Sequence, residues 1–151
     1  AFISKKENTT MPFVGAVMHK LMCQLINREN DREALKTILK CVELIKNDQV
    51  SIGVFPEGYI SLTGKLQPLK GGVFKIAQKA KVPIVVCTVK NTRHAISNLL
   101  HHRHTNIEVS VLEVIRPEEF ADLHTTDIAQ RVYEIMAADL GPENVSQEEN
   151  A

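Results

Sequence analysis

Net charge is the first thing this sequence lacks: 18 Lys and Arg stand against 18 Asp and Glu in 151 residues. Non-specific nucleic-acid affinity is built from many phosphate neutralisations, so a balanced chain is poorly suited to a polyanion and no nucleic-acid partner is expected. Cysteine is scarce. Cys23, Cys41 and Cys87 are odd in number, far apart and set inside apolar patterns, which fits buried reduced thiols better than a disulfide framework or a zinc site. A cytoplasmic setting follows. No apolar run approaches the roughly 20 residues that a membrane span needs, and no signal peptide opens the chain. The expectation is a soluble protein, or one peripheral to a membrane.

Several chemistries are missing as well. There is no Gly-x-Ser-x-Gly, which leaves a serine-hydrolase elbow without support. A phosphate-cradling loop is suggested by Gly58 followed by Gly64-Lys65, but five residues rather than four separate the glycines, and Leu66 stands where a Ser or Thr must reach Mg²⁺. The run His101-His102-Arg103-His104 has no acidic or cysteine partner at ligand spacing and reads as a solvated connecting loop, so no metal is expected. His19 reads as a partly buried helix residue, and His94 and His124 as loop residues.

What is present alternates between strand and helix patterns. "AFISKK" reads as a strand, "MPFVGAVMHKLMCQ" as a mostly apolar helix entered through Pro12, and "QLIN" as a short buried strand. From Asp31 to Lys46, Leu35, Ile38, Leu39, Val42 and Ile45 recur at helical spacing with Lys36, Lys40, Glu43 and Asn47 opposite, as in an amphipathic helix covering a sheet. "VSIGVF" is apolar enough for a strand covered on both faces. A helix is expected over 72–81 with Val73, Ile76, Ala77 and Ala80 inward, then a buried strand "VPIVVCTV", an alternating strand "IEVSVLEVI", and a helix over 127–140 begun by Thr125 or Thr126. This order predicts an α/β layered fold, with a largely parallel or mixed central sheet flanked by helices. One domain over 1–140 is expected, with a polar tail at 141–151 that is expected to be disordered after Gly141-Pro142.

Ligands of open α/β sheets gather outside the carboxyl ends of strands. "FPEG", Phe55 to Gly58, lies at such an end: Pro56 cannot donate to a ladder, and Gly58 permits a turn closed to other residues. The same signals fit an ordinary turn with a solvated carboxylate.

The landmarks "SKKE" with Pro12-Phe13-x-Gly15, "INR", "FPEG", "LKGG" and "VPIV" occur in the order found in 1-acylglycerol-3-phosphate acyltransferases, and residues 2 to 90 resemble that family. The resemblance implies transfer of a fatty acyl group from acyl-CoA or acyl carrier protein, as co-substrate rather than cofactor, to a lysophospholipid-type acceptor. It also implies work at the cytoplasmic face of a membrane, through peripheral contact or segments absent here. The family's His-x-x-x-x-Asp, a general base with its orienting carboxylate, does not occur: none of the six histidines has an aspartate five positions on. In the family that motif lies shortly before the segment resembling "AFISKK". Because the sequence opens at Ala1 without a methionine, the expectation is a piece of a longer protein with its catalytic motif upstream; a catalytically silent lipid-binding or structural domain is the alternative. By the same resemblance Glu57, Gly58 and Ser61 belong to the acceptor site, with Lys6 and Arg28 as candidate ligands of the acceptor phosphate. Lys6 and Arg28 also fit ordinary solvated charges. Where the family continues with Thr-Arg-Ser, this chain has Tyr59 and Ile60 before Ser61, so the phosphate is held otherwise or the acceptor differs.

Overall fold

The computed structural model describes residues 1–11, 13–27, 30–59, 61, 64–93 and 95–146. Pro12, Arg28, Ile60, His94 and the tail beyond Ser146 lie outside the described residues.

Among the described residues four strands, β1 (Ile3–Lys5), β2 (Gln24–Ile26), β3 (Ile84–Lys90) and β4 (Glu108–Ile115), form two separate pairs. β1 and β2 run parallel with Ile3 opposite Gln24 and Lys5 opposite Ile26, whereas β3 and β4 are antiparallel from Ile84–Ile115 to Lys90–Glu108. The fold is therefore α/β with mixed pairing. "VSIGVF" does not form a regular strand. It touches β1's neighbour through one parallel bridge, Phe2 to Gly53, closed by Gly53 N–H to Ala1 O at 2.8 Å and Ile3 N–H to Gly53 O at 3.1 Å. Nor is it covered on both faces, since Phe55 is 66% exposed and stacks on Phe2 with ring centroids 6.1 Å apart. A Cβ on Gly53 would lie 2.5 Å from the Phe2 ring, so a larger residue at this bridge would displace the ring.

Six helices accompany the strands among the described residues: α1 (Val14–Lys20), α2 (Asp31–Lys46), α3 (Lys75–Ala80), α4 (Ala95–Leu100), α5 (Pro117–Phe120) and α6 (Thr125–Leu140). α2 begins where its sequence says it should. The Asn30 side chain accepts from the N–H groups of Arg32 and Glu33, and Asp31 and Glu33 sit at the positive end of the helix dipole. Its buried face is turned from the expected stripe: Leu35 and Leu39 remain exposed, while Cys41 and Leu44 are buried with Ile38 and Val42. α1 is shorter than the apolar run suggested; Met18 is its buried residue, and His19 is exposed. The helix expected over 72–81 divides into a 3-10 turn, Gly71–Phe74, and α3.

Two apolar clusters hold these parts. Phe74, Val86, Ile115, Phe120, Ile128 and Val132 bring α6 onto β3 and β4, and Ile38, Cys41, Val42 and Ile76 join α2 to α3 beneath Ile3 and Ile52. Phe74 and Ile76 stand two residues apart and enter different clusters, so the Gly71–Ala80 segment ties them together. Burial of side chains of this size supplies about 1.5–3 kcal/mol each.

The other face of β3 and β4 is open. Val85, Val89, Val109, Val111 and Val114 are each more than 40% exposed, so "VPIVVCTV" is covered on one side only. Between Val86–Glu113 and Cys87–Val111 the register skips Leu112, a β-bulge that turns Leu112 and Ile115 inward. Of the segment read as a polar tail, residues up to Ser146 are described, and they dock on Leu66: Leu66 N–H donates to Asn144 O at 2.8 Å and Ser146 N–H to Leu66 O at 3.0 Å.

Candidate functional site

Parallel register brings Lys6 and Asn27 out at the same end of the β1–β2 sheet, and the two line one cavity there that Glu57 does not line. Phe2 is bridged to Gly53, and four residues beyond each come Lys6 and Glu57. Asn27 follows directly on the Lys5–Ile26 pair. This is the carboxyl end, where ligands of such sheets bind.

The "FPEG" turn is built as its residue types require. Gly58 takes φ of 84°, in the region that favours glycine, and its N–H donates to Phe55 O at 3.2 Å. Pro56, which has no N–H to give, accepts from Lys70 N–H at 2.9 Å. Glu57 is half-buried, and its Oε2 accepts the backbone N–H of Gln67 at 3.1 Å. Burial raises the Glu57 pKa above the ordinary 4.5, and the Gln67 hydrogen bond opposes that rise. Tyr59 is half exposed, and its hydroxyl donates weakly to Gln67 Oε1 at 3.4 Å. Ser61 is half-buried.

Lys6 opens the 3-10 turn that follows β1 and is exposed. It lines a cavity of about 240 Å³ with Ile26, Asn27, Glu33, Lys36 and Thr37. Thr37 fastens α2 over β2 by donating its hydroxyl to Leu25 O at 2.7 Å. Glu33 accepts from Asn27 Nδ2 at 3.0 Å and Asn30 Nδ2 at 3.4 Å, so both its oxygens are engaged. Among the described residues neither Lys6 nor Lys36 forms an ion pair. Asn27, Glu33, Lys36 and Thr37 were not singled out as site residues by sequence. Periodicity places Lys36 on the outer side of α2, and the one available signal was the position of α2 directly after a strand's carboxyl end.

The histidine run lies in the turn after α4, where His101, His102 and His104 are exposed and His101 Nδ1 is 2.8 Å from Ser97 O. Among the described residues no group of three or more His, Cys, Asp and Glu side chains could hold a metal ion, and no helix is long and apolar enough to cross a membrane. The cysteines are free thiols; Cys41 is buried, while Cys23 and Cys87 are only partly so.

A family model described as Acyltransferase matches residues 1–90. The 1-acyl-sn-glycerol-3-phosphate acyltransferase of Saccharomyces cerevisiae is 36% identical over 96 residues, covering 62% of this chain and 32% of the relative. That of Salmonella typhimurium is 32% identical over 120 residues, covering 80% and 47%, and that of Escherichia coli 37% identical over 101 residues, covering 66% and 41%. The chain thus spans about a third to a half of these relatives. The crystal structure of PlsC from Thermotoga maritima, a 1-acyl-sn-glycerophosphate acyltransferase, superposes with a TM-score of 0.71 over 99% of this chain and 58% of that one, at 23% identity, which establishes a shared fold. With a family model matched across residues 1–90 of 151, the chain belongs to the acyltransferase family, in which its relatives are 1-acyl-sn-glycerol-3-phosphate acyltransferases.

Proposed function

We propose that this chain is the acceptor-binding portion of an O-acyltransferase of phospholipid synthesis. The enzyme moves a fatty acyl group from acyl-CoA or acyl carrier protein to the free hydroxyl of a 1-acylglycerol-3-phosphate-like acceptor. The observation that carries this reading is the family match over residues 1–90.

Glu57 and Gly58 shape the turn against which the glycerol part rests, with Ser61 beside it, and Lys6 meets the phosphate through a charge-assisted hydrogen bond. Arg28 follows Asn27 in the sequence and is a second candidate cation. Acyl transfer needs a base for the acceptor hydroxyl. No histidine of this chain has an aspartate five positions on, so in this reading the base is supplied from outside these 151 residues. Peripheral contact with a membrane is supported by α1, around which Met11, Phe13, Val17 and Leu21 are more than half exposed; the cytoplasmic face is what the family resemblance implies.

The test is acyl transfer from labelled acyl-CoA by the full-length protein, offered lysophosphatidate and uncharged monoacylglycerol. Acylation of lysophosphatidate is expected, and failure with every lysolipid acceptor sinks the reading. The 151-residue chain alone should give no turnover.

A further inference from the structure

We propose that Ser146 is a positioning residue for Glu57, acting through the single peptide group that joins Leu66 to Gln67. This rests on the acyltransferase reading above, which gives the Glu57 turn its role in acceptor binding, and it names a residue outside the 1–90 span that the family model matches.

Three observations converge. The first is covalent. Leu66 C=O and Gln67 N–H are the two ends of one planar peptide unit, so neither can turn without the other. On the N–H side stands Glu57 Oε2, which accepts at 3.1 Å. On the C=O side stands Ser146, which donates its N–H at 3.0 Å and its hydroxyl at 2.8 Å. Carboxylate and serine thus hold opposite edges of one plane, and a peptide whose oxygen accepts two hydrogen bonds is polarised into a better donor.

The second is that the serine is itself held. α6 packs on β3 and β4 through Ile128, Ala129 and Val132. Gly141, with φ of 83°, turns the chain out of that helix, and Asn144 Nδ2 donates back to Leu140 O at 2.8 Å. Leu66 N–H donates in turn to Asn144 O at 2.8 Å, so the residues on either side of Val145 grip both backbone groups of Leu66. A helix of the core therefore sets where this peptide lies.

The third is what the loop lacks. Among the described residues no helix or regular strand lies between α2 and Gly71, so the shape of the loop after Gly58 depends on bonds of this kind. Leu66 is 4% exposed, and Glu57 and Ser146 are half-buried, where water competes weakly for the same groups.

The test compares the full-length protein with Ser146→Ala, which loses the hydroxyl bond, Ser146→Pro, which loses both, and Ser146→Thr, which keeps both. Without substrate, Gln67 amide exchange should quicken in Ser146→Ala and more in Ser146→Pro, while α6 amides stay protected. The Glu57 carboxyl, followed by carbon NMR, should titrate higher in the same order, because the Gln67 bond is what opposes the rise in its pKa. With lysophosphatidate, KM should rise about threefold in Ser146→Ala and about tenfold in Ser146→Pro, with kcat within about twofold. Ser146→Thr should behave as wild type, and Ser146→Pro should add nothing once Glu57 is alanine. A Glu57 titration unmoved by Ser146→Pro overturns the proposal. So does a KM that is unmoved, or that rises as much in the Glu57→Ala background, in a protein that acylates lysophosphatidate. A titration that responds in a protein acylating no lysolipid leaves Ser146 as the positioning residue and sinks the acyltransferase reading alone.

Discussion

The carboxylate of Glu57 accepts the backbone N–H of Gln67 at 3.1 Å, so the turn after Phe55 fastens the far side of its own loop. Glu57→Ala should cost about 1–2 kcal/mol, because a half-buried donor loses its partner, and the Gln67 amide should exchange faster. Glu57→Gln keeps an acceptor and should cost less. Burial raises the folded pKa above 4.5, so the linked stabilisation is fully present below that value and is lost as pH rises through the raised one. Wild type should therefore gain on Glu57→Gln when urea midpoints are compared at about pH 4 rather than pH 7; a gap independent of pH would refute the assignment.

Gly71 and Gly72 are adjacent and should respond in opposite ways to alanine. A Cβ on Gly71 would lie 2.8 Å from the Thr125 carbonyl oxygen, which is backbone and cannot swing aside, whereas Gly72 has nothing within 4 Å. Gly71→Ala should lose about 1–3 kcal/mol by overpacking. Gly72→Ala should be neutral or gain up to about 1 kcal/mol by restricting the unfolded chain. Thermal melts of the two variants decide it.

Asp139 accepts from the Thr88 hydroxyl at 2.7 Å and pairs with Lys90 at 2.9 Å. The Thr88 bond first and the Lys90 bond second hold its pKa below the ordinary 3.8. Stabilisation from a depressed carboxylate is present above the unfolded pKa and lost as pH falls through the folded one. Asp139→Asn should be less stable than wild type at neutral pH, and the difference should close as acid is taken below about pH 4. Denaturation midpoints across that range measure it.

Cys41 has no exposed surface, and burial pushes its thiol up to about 11. Thiolate is the reactive form. With iodoacetamide at about pH 8, Cys23 and Cys87 should label in the folded protein, and Cys41 only at the rate of opening. Peptide mass spectrometry over time should separate the three.

Legibility in the sequence followed the range over which each feature is determined. α2 was readable from Asp31 to Lys46 because its apolar period is local. Its buried side was not, since which of Leu39 or Leu44 goes inward depends on what packs there. Apolar content identified β3 and alternation identified β4, but neither carries information on direction, so their antiparallel pairing was invisible. "VSIGVF" failed as a strand because apolar content says nothing about which edges will be available for pairing. At the site, Glu57, Gly58 and Lys6 could be picked out since turn chemistry and motif order are written in sequence. Lys36 could not, because its place in the cavity depends on α2 folding back over β2.

Val111 and Ile115 lie on either side of the β4 bulge and differ sharply, 67% exposed against 1%. Val111→Thr should leave stability within about 0.5 kcal/mol. Ile115→Val should cost about 0.5–1.5 kcal/mol through the lost methyl group and its cavity. Chemical denaturation of both variants tests the pair.

The bulge at Leu112 sets the last residues of β4 in phase with the core. Were the same residues paired without it, the two-residue alternation would carry past Leu112 unbroken and bring Ile115 out into solvent, with Val114 taking its place against Phe120 and Ile128. Deletion of one residue between Val111 and Glu113 would close the bulge and leave Ile115 opposite Ile84, whereas an inserted residue drawn into the ladder would be felt at the far end of the strand and in the helix behind it. This stretch should therefore tolerate the loss of a residue better than the gain of one.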